Sequence, residues 1–458
     1  MRKHIFSHAT AERRLGVPAV LWSSCLAMLA VGANSTAIMA ALPTMRSEVS
    51  LSPAGLQWAV NAYLVASAAC IVLGGQAADR FGGRLASLAG LALFALASCI
   101  IATAATQTAL LAGRSLQGLA AAFAVPSTLA AVDTSAAPER RGAAIGAWTG
   151  FLMLGFSIGP LLGGALTHVT SWRVIFWLNV LLMLAAFAGL ASARSVTARA
   201  QRAQGRRADW IGFVLLATFM VSLVYGLQAV PQARAAPLAV IAPLVLAAAA
   251  FVLLLTVESR AEAPLLDLSF FRRRGFVLGV AIGSLSMFSI MGLLLYFNLC
   301  AQSRDGLGLT ALEAGALLVP LSVALLALAL SASAVAARVR LRNAMTAGMA
   351  LIVIAAAVIA AAVALGDIVL LVVGLLAMGA GLALPYASAP RLALSVLSPG
   401  QAGQGSGIVN ASTFLGGSAG VALGAIAFAS GGFIAVLTMI ALAGVVGAVL
   451  ARGIQEAP

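Results

Sequence analysis

Charge is what this sequence has least of. Only 9% of its 458 residues are charged, where soluble domains carry about a quarter, and 62% are hydrophobic. Mean hydropathy is +1.06, which excludes an ordinary soluble protein and leaves a polytopic membrane protein. Acids are scarcest: 13 Asp and Glu stand against 27 Lys and Arg, for a net charge of +14. A basic excess suits nucleic acid, but these arginines are dispersed between apolar runs and form no single solvated face, so no nucleic-acid partner is expected. Cys25, Cys70, Cys99 and Cys300 stand singly in or at the ends of apolar runs, which leaves neither a disulfide framework nor a zinc site. His4 and His8 lie in the N-terminal tail and His168 ends a run. No Asp or Glu falls near the middle of any run; Asp133 and Glu313 sit near ends, and Glu313 reads as a helix-start residue. A membrane enzyme needs convergent acid, base or metal groups. With these missing, neither an enzyme nor a cofactor is expected.

What the chain has in abundance is apolar length. Runs able to cross about 30 Å of hydrocarbon fall near 17–42, 55–77, 85–105, 108–132, 143–167, 174–191, 210–230, 237–257, 276–300, 311–334, 344–365, 368–396, 405–429 and 433–451. An even count of fourteen puts both termini on one side. That side collects 22 Lys and Arg, against four on the other (Arg46, Arg173, Arg234 and Arg304), with Arg114 left inside a run. By the positive-inside rule the terminal side is cytoplasmic, and a plasma (inner) membrane location is expected. The first run is too long for a signal-peptide core and lacks a convincing cleavage site, so it reads as a span.

Two basic connections divide the chain. One, at 193–208, carries Arg194, Arg199, Arg202, Arg206 and Arg207, and the other occupies 258–274. The expected organisation is a six-helix bundle over 1–192, basic linkers with two inserted helices over 193–274, and a second six-helix bundle over 275–458. Ser52-Pro53 and Thr310 offer N-cap chemistry before two of the runs.

Within this frame one stretch stands out. Residues 142–164 read GAAIGAWTGFLMLGFSIGPLLGG, with glycines at 142, 146, 150, 155, 159 and 163 on one approximate helical face. A face without side chains lets another helix approach closely, and Pro160 within it is tolerated most readily in a packed membrane bundle. The stripe recurs: an offset of 261 maps Gly142, Gly146, Gly155, Gly159 and Gly163 onto Gly403, Gly407, Gly416, Gly420 and Gly424. An offset of 258 maps Arg80, Arg84 and Gly90 onto Arg338, Arg342 and Gly348. The chain is therefore read as duplicated, a mark of transporter folds whose site lies between the repeats.

Particular motifs sit on this frame: GQAADRFGGR at 75–84, GRSLQG at 113–118 and GFSIGPLLGG at 155–164. To these are added LQWAVNAYL at 56–64, SWRVIFWLNV at 171–180, ADWIG at 208–212 and APLLDLSFFRRRGF at 263–276. Together, and in this order, they resemble the major facilitator superfamily, and its fourteen-span drug:proton antiporter branch in particular. The resemblance covers essentially the whole chain. It implies an all-α polytopic membrane protein with the major facilitator fold, fourteen transmembrane helices arranged six plus two plus six.

The resemblance also assigns roles. Asp79, Arg80 and Arg84 would form a latch in which Asp79 faces the start of the run at 405–429 and favours the outward-facing state. Arg114 and Gln117 match a motif associated with proton coupling, and Gly155, Gly159, Pro160 and Gly163 match the antiporter motif that sets direction. Asn34, Tyr63, Trp148, Tyr296, Asn298 and Asn410 are candidates for the substrate cavity. The expected function is secondary active export of small amphipathic, drug-like compounds by alternating access, linked to protons, with substrate, protons and membrane lipids as partners. The oligomeric state is not fixed by the sequence. One departure bears on coupling: where the branch has an acid, this chain has Asn34, and Met39 replaces a second polar residue. That substitution favours an alternative, an uncoupled or differently coupled transporter of a neutral or anionic metabolite.

Overall fold

The computed structural model describes residues 2–193, 209–233, 235–261, 264–398 and 401–454. The arginine run from Arg194 to Arg207, expected to mark the end of the first bundle, lies outside the described residues, as does Arg234. The described chain is helical throughout. Its helices are α1 (Arg2–Glu48), α2 (Pro53–Phe81), α3 (Gly83–Ala102), α4 (Gln107–Ser135), α5 (Arg141–Val169), α6 (Arg173–Ser192), α7 (Trp210–Ala229) and α8 (Pro237–Glu258). There follow α9 (Arg274–Gln302), α10 (Ala311–Leu317), α11 (Val319–Arg338), α12 (Leu341–Leu365), α13 (Ile368–Ser395) and α14 (Ala402–Arg452).

Among the described residues, thirteen helical stretches are long and apolar enough to cross a membrane. Two differ in outline from the sequence expectation. The run at 311–334 is split into α10 and α11 at Leu318, ahead of Pro320, whose missing N–H suits the first turn of a helix. The last stretch is 51 residues long, about 77 Å at 1.5 Å per residue, and it loses helical geometry at Gly431 and Gly432. Gly432 has φ +63°, a conformation that favours glycine, and it lies where the sequence separates the runs 405–429 and 433–451.

Helix starts follow the cap residues. Ser52 Oγ accepts from Gly55 N at 2.9 Å, and Thr310 with Glu313 forms a reciprocal capping box. At the face bearing Arg46 and Arg173, Glu48 accepts from Trp172 Nε1 (2.8 Å) and pairs with Arg173 (2.5 Å), while Arg173 Nη2 reaches Ala104 O (3.2 Å). These bonds tie the ends of α1, α3 and α6 together. The opposite face, where Arg80, Arg84 and Arg452 lie, is called the basic face below.

The repeat written in the sequence returns as a repeat of contacts. Gly118 of α4 lies against the Tyr63 carbonyl of α2; adding 261 and 258 gives Gly379 of α13 against the Leu321 carbonyl of α11. Gly90 of α3 packs on Ala124 of α4, and the corresponding Gly348 of α12 packs on Pro385 of α13. Gly155 and Gly159 close on α1 through Leu29 and Ala33, and Gly416 and Gly420 close on α9 through Ser284 and Phe288. Without a water-driven hydrophobic effect between helices in lipid, such backbone approach is a main source of packing energy.

Helices α7 and α8 pack along one side of this frame. Leu216, Met220, Val224 and Leu254 share a buried cluster with Val65, Val72 and Ala411, so the hairpin covers the junction of α2 and α14. Its connection to α9 is pinned on the basic face: Glu258 accepts from Leu266 N (3.0 Å), and Gln404 Nε2 donates to Pro264 O (2.8 Å) and Leu265 O (2.9 Å).

Candidate functional site

Helix α5 has two working faces. On one, Gly155, Gly159 and Gly163 rest on the α1 backbone: an added Cβ at Gly159 would meet Thr36 Oγ1, Ala33 O at 2.9 Å and Ala37 N at 3.1 Å. Thr36 Oγ1 donates to Phe156 O at 3.0 Å and fixes that register. On its other face α5 meets α10 of the second half, with Gly164 against the Ala311 carbonyl and Gly315 against Pro160 O. Gln302 of α9 donates to Ala40 O of α1 at 2.9 Å across the same junction. The motif at 155–164 therefore joins α5 to its own bundle and closes the seam between halves.

Toward the basic face this contact loosens: Gly150 of α5 makes only an ordinary contact with Leu330 of α11, at 3.4 Å. A side chain added at Gly142 or Gly146 of α5, or at Gly403 of α14, would meet nothing within 4 Å. The stripe expected to be continuous from 142 to 163 is thus close-packed only over 155–163. Along the second seam, α2 and α14 touch from Asn61 to Val72. Ser418 Oγ donates to Asn61 Oδ1 (2.9 Å), Asn61 Nδ2 donates to Ser418 O (3.3 Å), and Gly407 abuts Val72.

A polar network is buried beside the seal. Arg114 and Gln117, both fully buried, are brought together: Arg114 Nη1 donates to Gln117 Oε1 (2.5 Å), and Gln117 Nε2 donates to Ser98 Oγ (2.8 Å). Arg114 Nε donates to Ala59 O at 2.8 Å, and its guanidinium lies 4.6 Å from the Tyr63 ring centroid. Tyr63 OH accepts from Ser35 Oγ at 3.4 Å, next to Thr36. The chain of contacts runs from α4 through α2 to the α1 residues on which Gly159 rests. A charge at mid-helix costs about 2.5–3.5 kcal/mol on insertion scales, and here uncharged acceptors and a ring face offset it.

Asn34 is also buried. Its Oδ1 accepts from Asn179 Nδ2 of α6 at 2.9 Å, while its Nδ2 has no partner. The other cavity candidates are spread through the bundles. Trp148 Nε1 donates to Thr128 Oγ1 (3.1 Å); Tyr296 OH donates to Val421 O (2.7 Å) and its ring packs on Phe428; Asn298 Nδ2 donates to Leu294 O (2.8 Å); Asn410 Nδ2 donates to Ser406 O (2.9 Å). No hydrogen bond joins these four to Asn34 or Tyr63. On the basic face Arg84 donates to Leu190 O (3.0 Å) and Ala191 O (2.5 Å), capping the end of α6, and Arg80 lies over the Phe81 ring. Asp79 is exposed and, among the described residues, makes no ion pair or hydrogen bond.

Sequence reasoning passed over Ser35, Thr36, Asn61, Ser98, Asn179, Gln302 and Ser418. Each is a polar residue within or at the end of an apolar run, and that is the signal that could have found them.

Comparison with known proteins accords with this geometry. The chain is 34% identical over 321 residues to the tetracenomycin C resistance and export protein of Streptomyces glaucescens, covering 69% of this chain and 58% of that protein. It is 32% identical over 289 residues to the methylenomycin A resistance protein of Bacillus subtilis, covering 62% of this chain and 61% of that one. The matched segment thus spans about three-fifths of the length of these two relatives. With the multidrug resistance protein Stp of Mycobacterium tuberculosis the identity is 29% over 402 residues, covering 87% and 73%. The fold is shared with the crystal structure of an auto-inhibited POT family peptide transporter: TM-score 0.70, 16% identity, covering 96% of this chain and 98% of that one. The family model described as Major Facilitator Superfamily matches residues 24–421, and the chain belongs to that superfamily.

Proposed function

We propose that this chain is a secondary active exporter of small amphipathic, antibiotic-like compounds, working by alternating access and linked to protons. The observation that carries the reading is the asymmetry between the two ends of the α5 helix: Gly164, Gly315 and Gln302 close one face, while Gly142, Gly146 and, on α14, Gly403 stand clear at the basic face. Two duplicated halves that part at one face at a time are what alternating access about a site between repeats requires. The named relatives supply the class of cargo. We read the chain as the fourteen-span drug:proton antiporter type, six plus two plus six over 1–192, 193–274 and 275–458. The break at Gly432, the paired contacts of the two halves and the separate packing of α7 with α8 support that division. The arginine distribution supports cytoplasmic termini in a plasma membrane, and the pose is then inward-open.

In this reading Asp79 is an unmade latch. When the basic face closes, its carboxylate meets the N-terminal end of α14, where partial positive charge favours it by about 0.3–1 kcal/mol. Asp79→Ala loses only the closed-face contact, so the population shifts toward the pose described, by about two- to fivefold on that energy. Cysteine accessibility from both faces measures the shift, and equal labelling of wild type and variant removes Asp79 from the latch.

A second reading has its own observation. Asn34 holds an unpartnered buried donor where the branch has an acid, which favours an uncoupled or differently coupled carrier of neutral or anionic metabolites. Both readings are tested by transport into proteoliposomes with and without a pH gradient, using cationic, neutral and anionic compounds. Asn34→Asp keeps the acceptor used by Asn179 and adds a titratable group. Stronger gradient dependence and better handling of cations are expected. If wild type is already fully gradient-dependent and the aspartate alters neither property, coupling does not turn on Asn34.

A further inference from the structure

The two seams between the halves are repeats of one another, and the offsets 258 and 261 pair their residues one to one. Val72 of α2 corresponds to Leu330 of α11, and Gly407 of α14 corresponds to Gly146 of α5. On the first seam a Cβ at Gly407 would lie 3.3 Å from Val72 Cγ2, whereas on the second no atom of Leu330 comes within 4 Å of a Cβ at Gly146. The polar pair differs too. Asn61 and Ser418, both fully buried, exchange two hydrogen bonds across the first seam. Their counterparts on the second are Val319 and Ser157. Gly315 rests on Pro160 O, so one turn toward the basic face Val319 comes opposite Ser157, and an isopropyl group offers a hydroxyl nothing to bond. Ser157 is 6% exposed and its Oγ has no partner.

The hairpin of α7 and α8 widens this difference. Leu216, Met220, Val224 and Leu254 pack on Val65 and Val72 of the first half and on Ala411 of the second, so one apolar cluster holds both sides of the first seam. Gln404 ties the start of α14 to the connection after α8 through the carbonyls of Pro264 and Leu265. Val72 is 5% exposed beneath the hairpin, and its counterpart Leu330 is 59% exposed. Parting α2 from α14 breaks two buried hydrogen bonds and opens the cluster. At the same depth, parting α5 from α11 disturbs an ordinary contact, Gly150 on Leu330 at 3.4 Å.

We infer that the seam of α2 with α14 is the pivot about which the halves rock, held by Asn61, Ser418 and the inserted hairpin, and that the seam of α5 with α11 is the one that opens and closes. The inserted helices thereby act as a clamp on one side. A pivot at the level of Asn61 to Val72 leaves the helix ends free, since Asp79 lies about 10 Å beyond Val72 along α2 and still swings toward the start of α14. The assignment rests on the alternating-access reading and adds to it which seam moves.

The test bridges each seam covalently in the full chain, made cysteine-free. Val72→Cys with Gly407→Cys sets the two Cβ atoms 3.8 Å apart, a usual disulfide separation. Gly150→Cys with Leu330→Cys is joined by a short bismethanethiosulfonate. Transport of tetraphenylphosphonium in proteoliposomes is compared before bridging, after it, and after reduction. The first bridge is expected to leave transport within about threefold and the second to lower it at least about tenfold, reversibly. The first pair should also bridge to completion at any pH, while the yield at the second changes with pH or added compound. Val319→Asn gives the second seam the amide that the first one has, and it should slow transport at least about fivefold where Val319→Ala does not, which needs no bridge to form. Equal loss from both bridges, loss from the first alone, loss from neither, or Val319→Asn behaving as Val319→Ala overturns the pivot. No transport by the unbridged chain counts against the exporter reading alone, and the bridging yields then decide: equal, unchanging yields at both seams overturn the pivot.

Discussion

Gly159→Leu is expected to lower transport about a hundredfold, the counterpart of roughly 2.7 kcal/mol, while the protein still inserts in the membrane. A Cβ at this position already meets the Ala33 carbonyl at 2.9 Å and the Ala37 amide at 3.1 Å, and both are backbone atoms that cannot rotate away. The remaining three carbons must part α5 from α1, and the Thr36 to Phe156 bond breaks with them. The neighbouring Gly164→Leu has a different consequence, because Gly164 faces Ala311 across the seam and not α1. It leaves the bundle packed and wedges the seal, so the face closed by Gly164 and Ala311 opens more often. Uptake assays at matched expression separate the two cases. Wild-type rates from well-inserted Gly159→Leu would remove the glycine face from the mechanism.

Arg114→Met is expected to cost transport at least about tenfold while changing stability by no more than about 2 kcal/mol. The apolar replacement removes a costly buried charge and leaves Gln117 Oε1 without its donor, two effects of opposite sign. The transport loss has another origin. Arg114 holds Ala59 O and faces the Tyr63 ring, and Tyr63 in turn meets Ser35 beside the seal. Arg114→Lys supplies charge without the planar fork that reaches two acceptors at once, so it is not expected to rescue. The double variant Arg114→Met, Gln117→Leu removes the stranded acceptor and should recover thermal stability without recovering transport. Full recovery of transport in the double variant would reduce Arg114 to a structural brace. Guanidinium stays protonated throughout the physiological range, so a proton carrier must be another group.

The helices and the duplication were legible in the residues, because apolar length and glycine spacing are local quantities that a bilayer constrains strongly. The offsets 258 and 261 did more than mark a repeat, since they pair Gly118 with Tyr63 and Gly379 with Leu321 as equivalent contacts. The caps at Ser52 and Thr310 were legible for the same local reason. What the residues could not give is which side of a stripe meets which neighbour. Gly155, Gly159 and Gly163 of α5 point to α1, while the neighbouring Pro160 and Gly164 meet the other half, a division that depends on three-dimensional packing. Asn34 shows the same limit. An amide in an apolar run was visible, but its pairing with Asn179, 145 residues away, was not.

Alternating access requires reciprocal motion at the two ends of the seam between the halves. The direct measurement is a pair of distances by double electron–electron resonance in a cysteine-free background, one between labels at Ser47 and Arg304, the other between Glu139 and Ser398. All four positions are exposed, and each pair links the first half to the second on one face. On adding a transported compound or changing pH, the Ser47–Arg304 distance is expected to lengthen as the Glu139–Ser398 distance shortens, with two populations exchanging weight. Distances that stay fixed under transport conditions, or that lengthen together, would contradict alternating access by these halves.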